Sequence, residues 1–416
     1  MRTGNLPSRV QAQPAARLPH LKPAICPLPN PAARHPFSIV AMNIDRIGIV
    51  GTGLAGLRVA AELREAGFSG ALTAWNAEGY PPYDRPPLSK NLLDAPLRPL
   101  ADEGFGDLAD LDVDVVPRPA EHMRPEGEGW FIDGFDVDVA VIASGSRPCT
   151  SIPGALTLYT VDDSLRIADS LANGARVDIV GAGWVGTELA SIASDICEVH
   201  LWESSPHVLG RTFDGAVDDL WISWIADAGV VLHLGQTWPG NTRPGTAVAE
   251  SALVQATGSV PVFPRLGLEV DISPRGALVT DMHTRVLHNG RPVSGLYAVG
   301  DCADATTTFG PRNGGHWMKA LADGAFTAAA IFGGTPPRFL APPEVFSTQF
   351  GKNIGFVGAI PECGLTGAPG ETDVERIDTA EGVAISWSKE GKLIALLAVD
   401  SPRELARARK SLRIKL

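Results

Sequence analysis

Residues 47–56 read IGIVGTGLAG, a short apolar run that continues directly into a glycine-rich turn. An apolar run of this length is typical of a buried strand in a parallel sheet. We predict a helix from Leu54 to Ala66, closed by Gly67. A glycine turn between strand and helix points backbone N–H groups and the positive end of the helix at an anion. The segment therefore predicts a Rossmann unit that binds the diphosphate of a dinucleotide.

The same pattern recurs 130 positions later, where residues 177–186 read VDIVGAGWVG. One glycine turn alone is weak support, but each copy here follows a predicted strand and opens a predicted helix. Glu203 lies 22 positions after Gly181, close to the spacing at which a carboxylate binds the ribose 2′-hydroxyl of NAD. Arg and Lys are missing at that strand end, where a 2′-phosphate would need one. The second unit is therefore predicted to prefer NAD over NADP.

The C-terminal part of the chain has a different pattern. The small residues of 320–331 predict a helix, and residues 333–337, which read GGTPP, indicate a linker after it. Beyond it, residues 382–387 and 392–399 alternate as in an antiparallel sheet, and residues 402–412 predict a closing helix. The predicted fold class is α/β, with two Rossmann-like dinucleotide-binding domains and a small α+β C-terminal domain.

Composition and charge narrow the classes of function. The 416 residues are 44% hydrophobic and 20% charged, as in a soluble globular protein. No apolar run approaches the roughly 18 residues of a membrane helix. The net charge is −12, and residues 1–41 hold five basic residues and no acidic one, which leaves −17 for the remainder. We therefore expect neither a membrane nor a nucleic acid as partner; a monomer or a homodimer is expected.

The five cysteines are at least 48 residues apart, which excludes a CxxC redox pair and a compact zinc knuckle. This usage fits a reducing cytoplasm. The histidines lack partners at metal-ligand spacing, so no metal site is predicted.

Residues 82–90 read PYDRPPLSK, a long and specific motif. Together with other motifs it makes residues 43–415 resemble the FAD-dependent ferredoxin reductases of bacterial oxygenase and cytochrome P450 systems. That branch belongs to the flavoproteins with two dinucleotide-binding domains. This chain has no cysteine pair spaced to form a redox disulfide. The other motifs are GTGLAG at 51–56, ASGSRP at 143–148, the second glycine turn ending in Glu188, YAVGD at 297–301 and FSTQ at 346–349.

The resemblance implies where FAD and NAD are held. Glu78 would bind the FAD ribose, Arg85 the phosphate–ribityl region and Asp301 the ribityl hydroxyls, while the backbone of His316 and Trp317 would approach the flavin pyrimidine ring. The full set of expected cofactor-binding residues is Gly51, Gly53, Ala55, Gly56, Glu78, Arg85, Lys90, Ser144, Gly145, Gly300, Asp301, His316 and Trp317 for FAD, and Gly181, Gly183, Gly186, Glu203 and Gly258 for NAD.

The resemblance also implies three catalytic residues. Lys90 and Glu188 would form a charged pair near flavin N5, and Trp184 would cover the flavin until nicotinamide displaces it. The alternatives are a purely structural ion pair and an aromatic side chain at a domain interface. The chain departs from the family where Gly315 replaces an acidic residue and Lys319 an Asn, and where the stretches 120–135 and 236–246 are shorter.

The predicted domains are a disordered Pro-rich leader (1–42), a discontinuous FAD-binding domain (43–150 and 264–333), an NAD-binding domain (151–263) and a C-terminal interface domain (334–416). The predicted function is transfer of electrons from NADH through FAD to a ferredoxin-type iron–sulfur protein. Two alternatives remain open: an NADH oxidase or NADH:quinone-type flavoprotein, and a non-catalytic redox-sensing module that binds FAD and NAD.

Overall fold

The computed structural model describes residues 44–174, 176–240, 251–307, 310–360 and 372–415. The predicted leader lies outside these residues, as does part of the 236–246 stretch. With labels in chain order, the helices are α1 (Leu54–Glu65), α2 (Pro87–Lys90), α3 (Val161–Asn173), α4 (Trp184–Ala193), α5 (Gly210–Phe213), α6 (Asp218–Asp227), α7 (Trp317–Phe332) and α8 (Pro402–Ser411).

The first Rossmann unit belongs to a mixed sheet. Its strands are β1 (Arg46–Val50), β2 (Ala71–Trp75), β3 (Val113–Val116), β7 (Val139–Ile142), β16 (Leu278–Thr280), β17 (Arg285–His288), β18 (Arg291–Ala298), β19 (Ala303–Thr307) and β20 (Gly310–Arg312). The order is β20-β19-β16-β17-β18-β7-β1-β2-β3. Strands β18, β7, β1, β2 and β3 are parallel to one another, so their carboxyl ends meet at one edge, where Val50, Trp75 and Ile142 lie side by side.

The second Rossmann unit forms a parallel sheet of its own. Its strands are β9 (Leu156–Thr157), β10 (Arg176–Val180), β11 (Glu198–Glu203), β12 (Val231–Leu234) and β13 (Ser251–Gln255), in the order β12-β11-β10-β13-β9. Helix α3 precedes β10, and a capping box between Thr160 and Asp163 starts that helix.

The remaining strands form smaller sheets. An antiparallel meander consists of β4 (His122–Glu126), β5 (Gly129–Ile132) and β6 (Phe135–Val137), and β15 (Arg265–Leu266) extends it. Strand β8 (Ser146–Pro148) pairs with β14 (Ser259–Pro261), and β21 (Phe339–Leu340) pairs with β27 (Ile414–Lys415). The C-terminal sheet contains β22 (Glu344–Gln349), β23 (Lys352–Gly358), β24 (Asp373–Asp378), β25 (Val383–Lys389) and β26 (Lys392–Val399), in the order β22-β23-β26-β25-β24.

Two cores cover the two faces of the first sheet. On one face Ile47 and Ile49 of β1 pack with α1 and α7, and on the other Val50 packs with the β4–β6 meander. The alternation along β1 produces this division, because successive strand side chains point to opposite faces.

A third core joins the second sheet to the C-terminal sheet. Phe213 of α5 stacks on Trp387 of β25 at 5.4 Å between ring centroids, and Phe356 of β23 meets Phe213 edge-on at 5.0 Å. Trp221 of α6 is fully buried in the same cluster. The second Rossmann unit and the C-terminal sheet therefore share one hydrophobic core.

The α/β fold class is confirmed, with both glycine turns placed between a strand and a helix as predicted. The antiparallel C-terminal strands and the closing helix are also present. Helix α7 differs from its prediction: it begins at Trp317, whereas the small-residue pattern indicated 320–331. His316 has an extended backbone and ends the preceding loop, so the helix starts with large residues that the pattern did not include.

Candidate functional site

A cleft of about 540 Å³ opens at the carboxyl ends of β1, β2 and β7. Its walls come from the first glycine turn, the PYDRPPLSK motif, the 143–145 turn, the first turn of α4, the 300–301 turn, the start of α7 and strand β22. Segments distant in sequence therefore converge on one cavity. The expected FAD-binding residues all line it except Gly56.

The first glycine turn shows what each glycine does. A Cβ at Gly51, where φ is +110°, would collide with the Ala143 carbonyl, and a Cβ at Gly56 would collide with the Gly51 carbonyl. These two glycines permit close packing of turn, strand and helix. A Cβ at Gly53 would meet nothing within 4 Å, although Gly53 lines the cleft. The space at Gly53 therefore belongs to the cleft, at the amino end of α1.

The second glycine turn repeats this geometry. A Cβ at Gly181 would collide with the Ala256 carbonyl and one at Gly186 with the Gly181 carbonyl, while Gly183 again faces open space. The expected NAD residues are not part of the cleft lining; Glu203 is at the end of β11, and Gly258 follows β13.

Glu203 is held in place by backbone donors. Ala182 N donates to Glu203 Oε2 and Ser205 N donates to Glu203 Oε1, both at 2.8 Å. The carboxylate therefore lies against the second glycine turn. Arg211 of α5 approaches Gly258, a neighbour that the sequence analysis did not identify, because α5 follows β11 without a motif of its own.

The predicted charged pair is present in the cleft wall. Lys90 Nζ lies 2.6 Å from Glu188 Oε1, and the Glu188 side chain is only 5% exposed. Glu188 Oε2 accepts a hydrogen bond from Ser89 Oγ at 2.5 Å, and Glu188 Oε1 accepts another from Ser347 Oγ. Three donors therefore provide this buried carboxylate with hydrogen-bond partners.

Side chains of β22, α6 and α4 support the Lys90–Glu188 pair. Gln349 Nε2 donates to Ser347 Oγ at 3.0 Å, and Trp221 Nε1 donates to Gln349 Oε1 at 2.9 Å. Trp184 lines the cleft and meets Trp221 edge-on at 6.2 Å, so it has both an interface contact and a position at the cavity. Ser89, Ser347 and Gln349 lie within the PYDRPPLSK and FSTQ motifs, but no role was predicted for them because their partners lie on distant segments.

A second polar cluster surrounds Arg85. Its guanidinium pairs with Glu78 and donates to the Tyr159 carbonyl at 2.6 Å. It lies over the rings of Tyr83 and Tyr159, at 5.2 and 4.5 Å from their centroids. Burial raises the pKa of both tyrosine hydroxyls, so both are neutral at pH 7. Tyr159 lines the cleft but carries no motif that would identify it from sequence.

Asp301 faces the cleft next to several donors. Gly315 N donates to Asp301 Oδ1 at 2.9 Å and Ser146 Oγ donates to Asp301 Oδ2 at 3.3 Å. Tyr159 OH lies 2.8 Å from Ser146 Oγ and so continues this chain. Ser144 Oγ donates a hydrogen bond to the Val262 carbonyl.

The start of α7 forms the opposite wall. Trp317 Nε1 donates to Asp84 Oδ1 at 2.8 Å, which ties the helix to the PYDRPPLSK motif. Burial lowers the pKa of His316, so its imidazole is neutral at pH 7. His316 Nδ1 is buried and has no hydrogen-bond partner among the described residues. A buried polar atom at a cleft wall is a position where a ligand group can bind.

Among the residues that the structure describes, no cysteine lines this cleft. Cys302 is fully buried beneath it, and burial raises the pKa of its thiol. The described residues contain no cluster of three or more His, Cys, Asp or Glu side chains suited to a metal ion. They also contain no helix long and apolar enough to cross a membrane.

Comparison with known proteins agrees with this geometry. A family model for pyridine nucleotide-disulphide oxidoreductases matches residues 45–324. The ferredoxin reductase component of a chlorobenzene dioxygenase from Cupriavidus sp. (strain PS12) is 29% identical over 393 residues, which are 87% of this chain and 91% of that protein. The ferredoxin–NAD(+) reductase subunit of a benzene 1,2-dioxygenase system from Pseudomonas putida is 28% identical over 397 residues, 88% of this chain and 92% of that protein.

A solved structure is similar as well. The crystal structure of Fdr9 matches with a TM-score of 0.75 and 28% identity, and the match covers 89% of this chain and 95% of that one. These comparisons confirm the resemblance inferred from the motifs.

Proposed function

The chain belongs to the pyridine nucleotide-disulphide oxidoreductase family, and from this we propose that it passes electrons from NADH through FAD to a ferredoxin-type iron–sulfur protein of an oxygenase system. Both reported relatives are named as ferredoxin reductases of dioxygenase systems. We place FAD at the first glycine turn and NADH at the second.

One observation carries this proposal: helix α4 belongs to both sites. Its amino end follows from the second glycine turn, and its first five residues supply Trp184, Val185 and Glu188 to the wall of the cleft. A nucleotide held at Gly181–Gly186 would therefore lie beside the FAD cleft. This closeness is what direct transfer between two bound cofactors requires.

The residues of the cleft fit FAD. The open space at Gly53 leaves room for a diphosphate against the amino end of α1, where backbone N–H groups and the helix dipole favour an anion. Arg85 adds a cation, and Glu78 and Asp301 add acceptors for sugar and ribityl hydroxyls. The unpartnered His316 Nδ1 is available to the flavin ring.

The Lys90–Glu188 pair would lie beside the flavin ring. When bound, FAD supplies the conversion of a two-electron hydride donor into a source of single electrons. Lys90 places a cation where negative charge develops, and Glu188 with its serine donors fixes the position of that cation. Trp184 at the same wall would shield the ring until nicotinamide arrives.

A disulfide acceptor does not fit the chain. The cysteines are too far apart in sequence for a vicinal pair, and none of the described cysteines lines the cleft. Electrons therefore leave toward an external acceptor rather than an internal dithiol.

Helix α8 is the proposed docking surface for that acceptor. Ferredoxins are usually acidic, and so is this chain outside residues 1–41. Docking therefore needs a locally basic patch. Arg403, Arg407 and Lys410 are exposed on α8. The helix reaches the cleft through Arg409, which pairs with Glu344, a residue of the cleft wall. The basic surface thus adjoins the site of flavin chemistry.

The proposed domain roles follow the sheets. Residues 43–150 and 264–333 bind FAD, residues 151–263 bind NAD, and residues 334–416 form the interface domain. The proposed location is the cytoplasm, where thiols stay reduced and NADH is supplied.

Anaerobic titration of the purified holoprotein tests the proposal. NADH should bleach the flavin absorbance at one equivalent per flavin, and cytochrome c should then be reduced only when a [2Fe–2S] ferredoxin is added. In a separate aerobic assay, fast oxygen consumption without ferredoxin would indicate an oxidase. In the anaerobic titration, bound FAD that NADH never bleaches would refute the enzymatic function.

A further inference from the structure

A buried charge group lies directly behind the cleft. Lys319 of α7 is 4% exposed and Asp323, one turn further on, is 0% exposed. Lys319 Nζ lies 2.5 Å from Asp323 Oδ2, and Arg312 Nη1 lies 2.7 Å from Asp323 Oδ1. Two cations thus share one carboxylate, which leaves one net positive charge in a buried place. Lys319 is also a departure from the family pattern, which has an Asn there.

This buried charge group makes hydrogen bonds to both the backbone N–H and the backbone carbonyl of Gly300, a residue of the cleft. Gly300 N donates to Asp323 Oδ2 at 3.0 Å, and Gly300 O accepts from Lys319 Nζ at 3.2 Å. Gly300 has φ of +70° and lies against Ala55 of the α1 amino end, where its Cβ would be 3.0 Å from that of Ala55. Asp301 follows directly and faces the cleft.

Lys319 is not needed to satisfy the hydrogen-bonding capacity of Asp323. Without it, Asp323 would still accept from Arg312 and from Gly300 N. A buried ion pair of this kind often contributes little to stability, because desolvation of the charges offsets their attraction. The extra cation therefore points to a role toward the contents of the cleft.

We propose that Lys319 is a positioning residue that fixes the Gly300–Asp301 turn and adds a buried positive charge that stabilises the negative charge of bound FAD. This inference rests on the proposed FAD site. Two properties depend on it: the affinity for the anionic cofactor, and the midpoint potential of the flavin, which rises when reduced, more negative states are stabilised.

The test compares Lys319→Met with Lys319→Arg in the purified holoprotein. Methionine keeps the length of the side chain and removes the charge, while arginine keeps the charge. Lys319→Met should raise the Kd for FAD on the order of tenfold and make the midpoint potential more negative. Lys319→Arg should leave the potential close to that of the wild type. Lys352→Met removes the same charge from the first residue of β23, where the side chain is 43% exposed, and should change neither value.

Asp323→Asn changes the net charge of the group in the opposite direction to Lys319→Met. It raises the net charge of the group, so a folded variant should have a more positive potential than the wild type. If the role of Lys319 were purely structural, Lys319→Met and Asp323→Asn would both weaken FAD binding. Their midpoint potentials would then not shift in opposite directions. If Asp323→Asn does not fold, the Lys319 pair still decides the question.

The outcome separates this inference from the proposed function. An unchanged potential in Lys319→Met, in a protein that binds FAD and is bleached by NADH, would overturn the role of Lys319 alone. A wild-type protein that cannot bind FAD would overturn both.

Discussion

Lys90 and Glu188 are 98 residues apart in sequence, yet Lys90 Nζ and Glu188 Oε1 lie 2.6 Å apart in the cleft wall. Glu188 also accepts from the hydroxyls of Ser89 and Ser347. The carboxylate thus stays hydrogen-bonded if the lysine is removed. A substitution of Lys90 can therefore test the chemical role of its charge without leaving the Glu188 carboxylate unpaired.

Lys90→Ala should slow reduction of the flavin by NADH more than it weakens FAD binding. Loss of one positioned cation near developing charge costs on the order of a hundredfold in rate. Stopped-flow bleaching measures the rate, and equilibrium dialysis the FAD affinity. Lys389→Ala, an exposed lysine of β25, is the control and should change neither. A normal bleaching rate with loosened FAD would assign Lys90 to structure.

The two glycine turns allow a reciprocal test. Gly53→Val and Gly183→Val each add a side chain where a Cβ meets no protein atom within 4 Å, so both variants should fold. Gly53→Val should yield a colourless protein, because the valine occupies the room for the FAD diphosphate. Gly183→Val should retain FAD and lose NADH binding. Full FAD content in Gly53→Val would mean that the first turn does not hold the cofactor.

Glu203 should set the coenzyme preference. A 2′-phosphate beside this carboxylate meets like charge and loses the ribose hydrogen bond, which favours NADH over NADPH by on the order of a hundredfold in kcat/KM. Glu203→Ala should narrow that ratio. Glu198→Ala removes a carboxylate from the other end of β11 and should leave the ratio unchanged. Equal efficiency of both coenzymes in the wild type would refute the assignment.

Charge reversal on α8 tests the docking surface. Arg407→Glu with Lys410→Glu should raise the apparent KM for ferredoxin by about fivefold at low ionic strength and flatten its salt dependence. Reduction of ferricyanide by NADH should stay normal. The same reversal at Lys389 and Lys392, in the exposed turn between β25 and β26, is the control. Unaffected ferredoxin kinetics would place the docking surface elsewhere.

Local sequence determined the parts of this fold that depend on near neighbours. Each glycine turn lies between its strand and its helix within a short window, so the pattern alone predicted both Rossmann units and the position of Glu203 at the end of a strand beside the second turn. The C-terminal strands were equally visible because their side chains alternate. The start of α7 was missed, since Trp317 and its neighbours belong to the helix without sharing the small-residue pattern that marks the rest of it.

The cleft itself could be predicted only in part. The pairing of Lys90 with Glu188 came from the family resemblance, since nothing in either local sequence indicates the other. Tyr159 belongs to no motif, and Gln349 ends the FSTQ motif without a role that its neighbours in sequence indicate. The contacts of both residues arise from the way separate sheets pack. Long-range contacts of this kind carry no local periodicity for a sequence reader to detect.

The shared core of α5, α6 and the C-terminal sheet has a consequence for chimeric reductases. Phe213 and Trp221 project from the second Rossmann unit into a cluster that Phe356 and Trp387 complete from the other side. An exchange of residues 334–416 alone would set these aromatic faces against a surface that did not evolve with them. A graft that alters acceptor choice should therefore carry α5 and α6 together with the C-terminal sheet, so that the crossover falls outside the shared core.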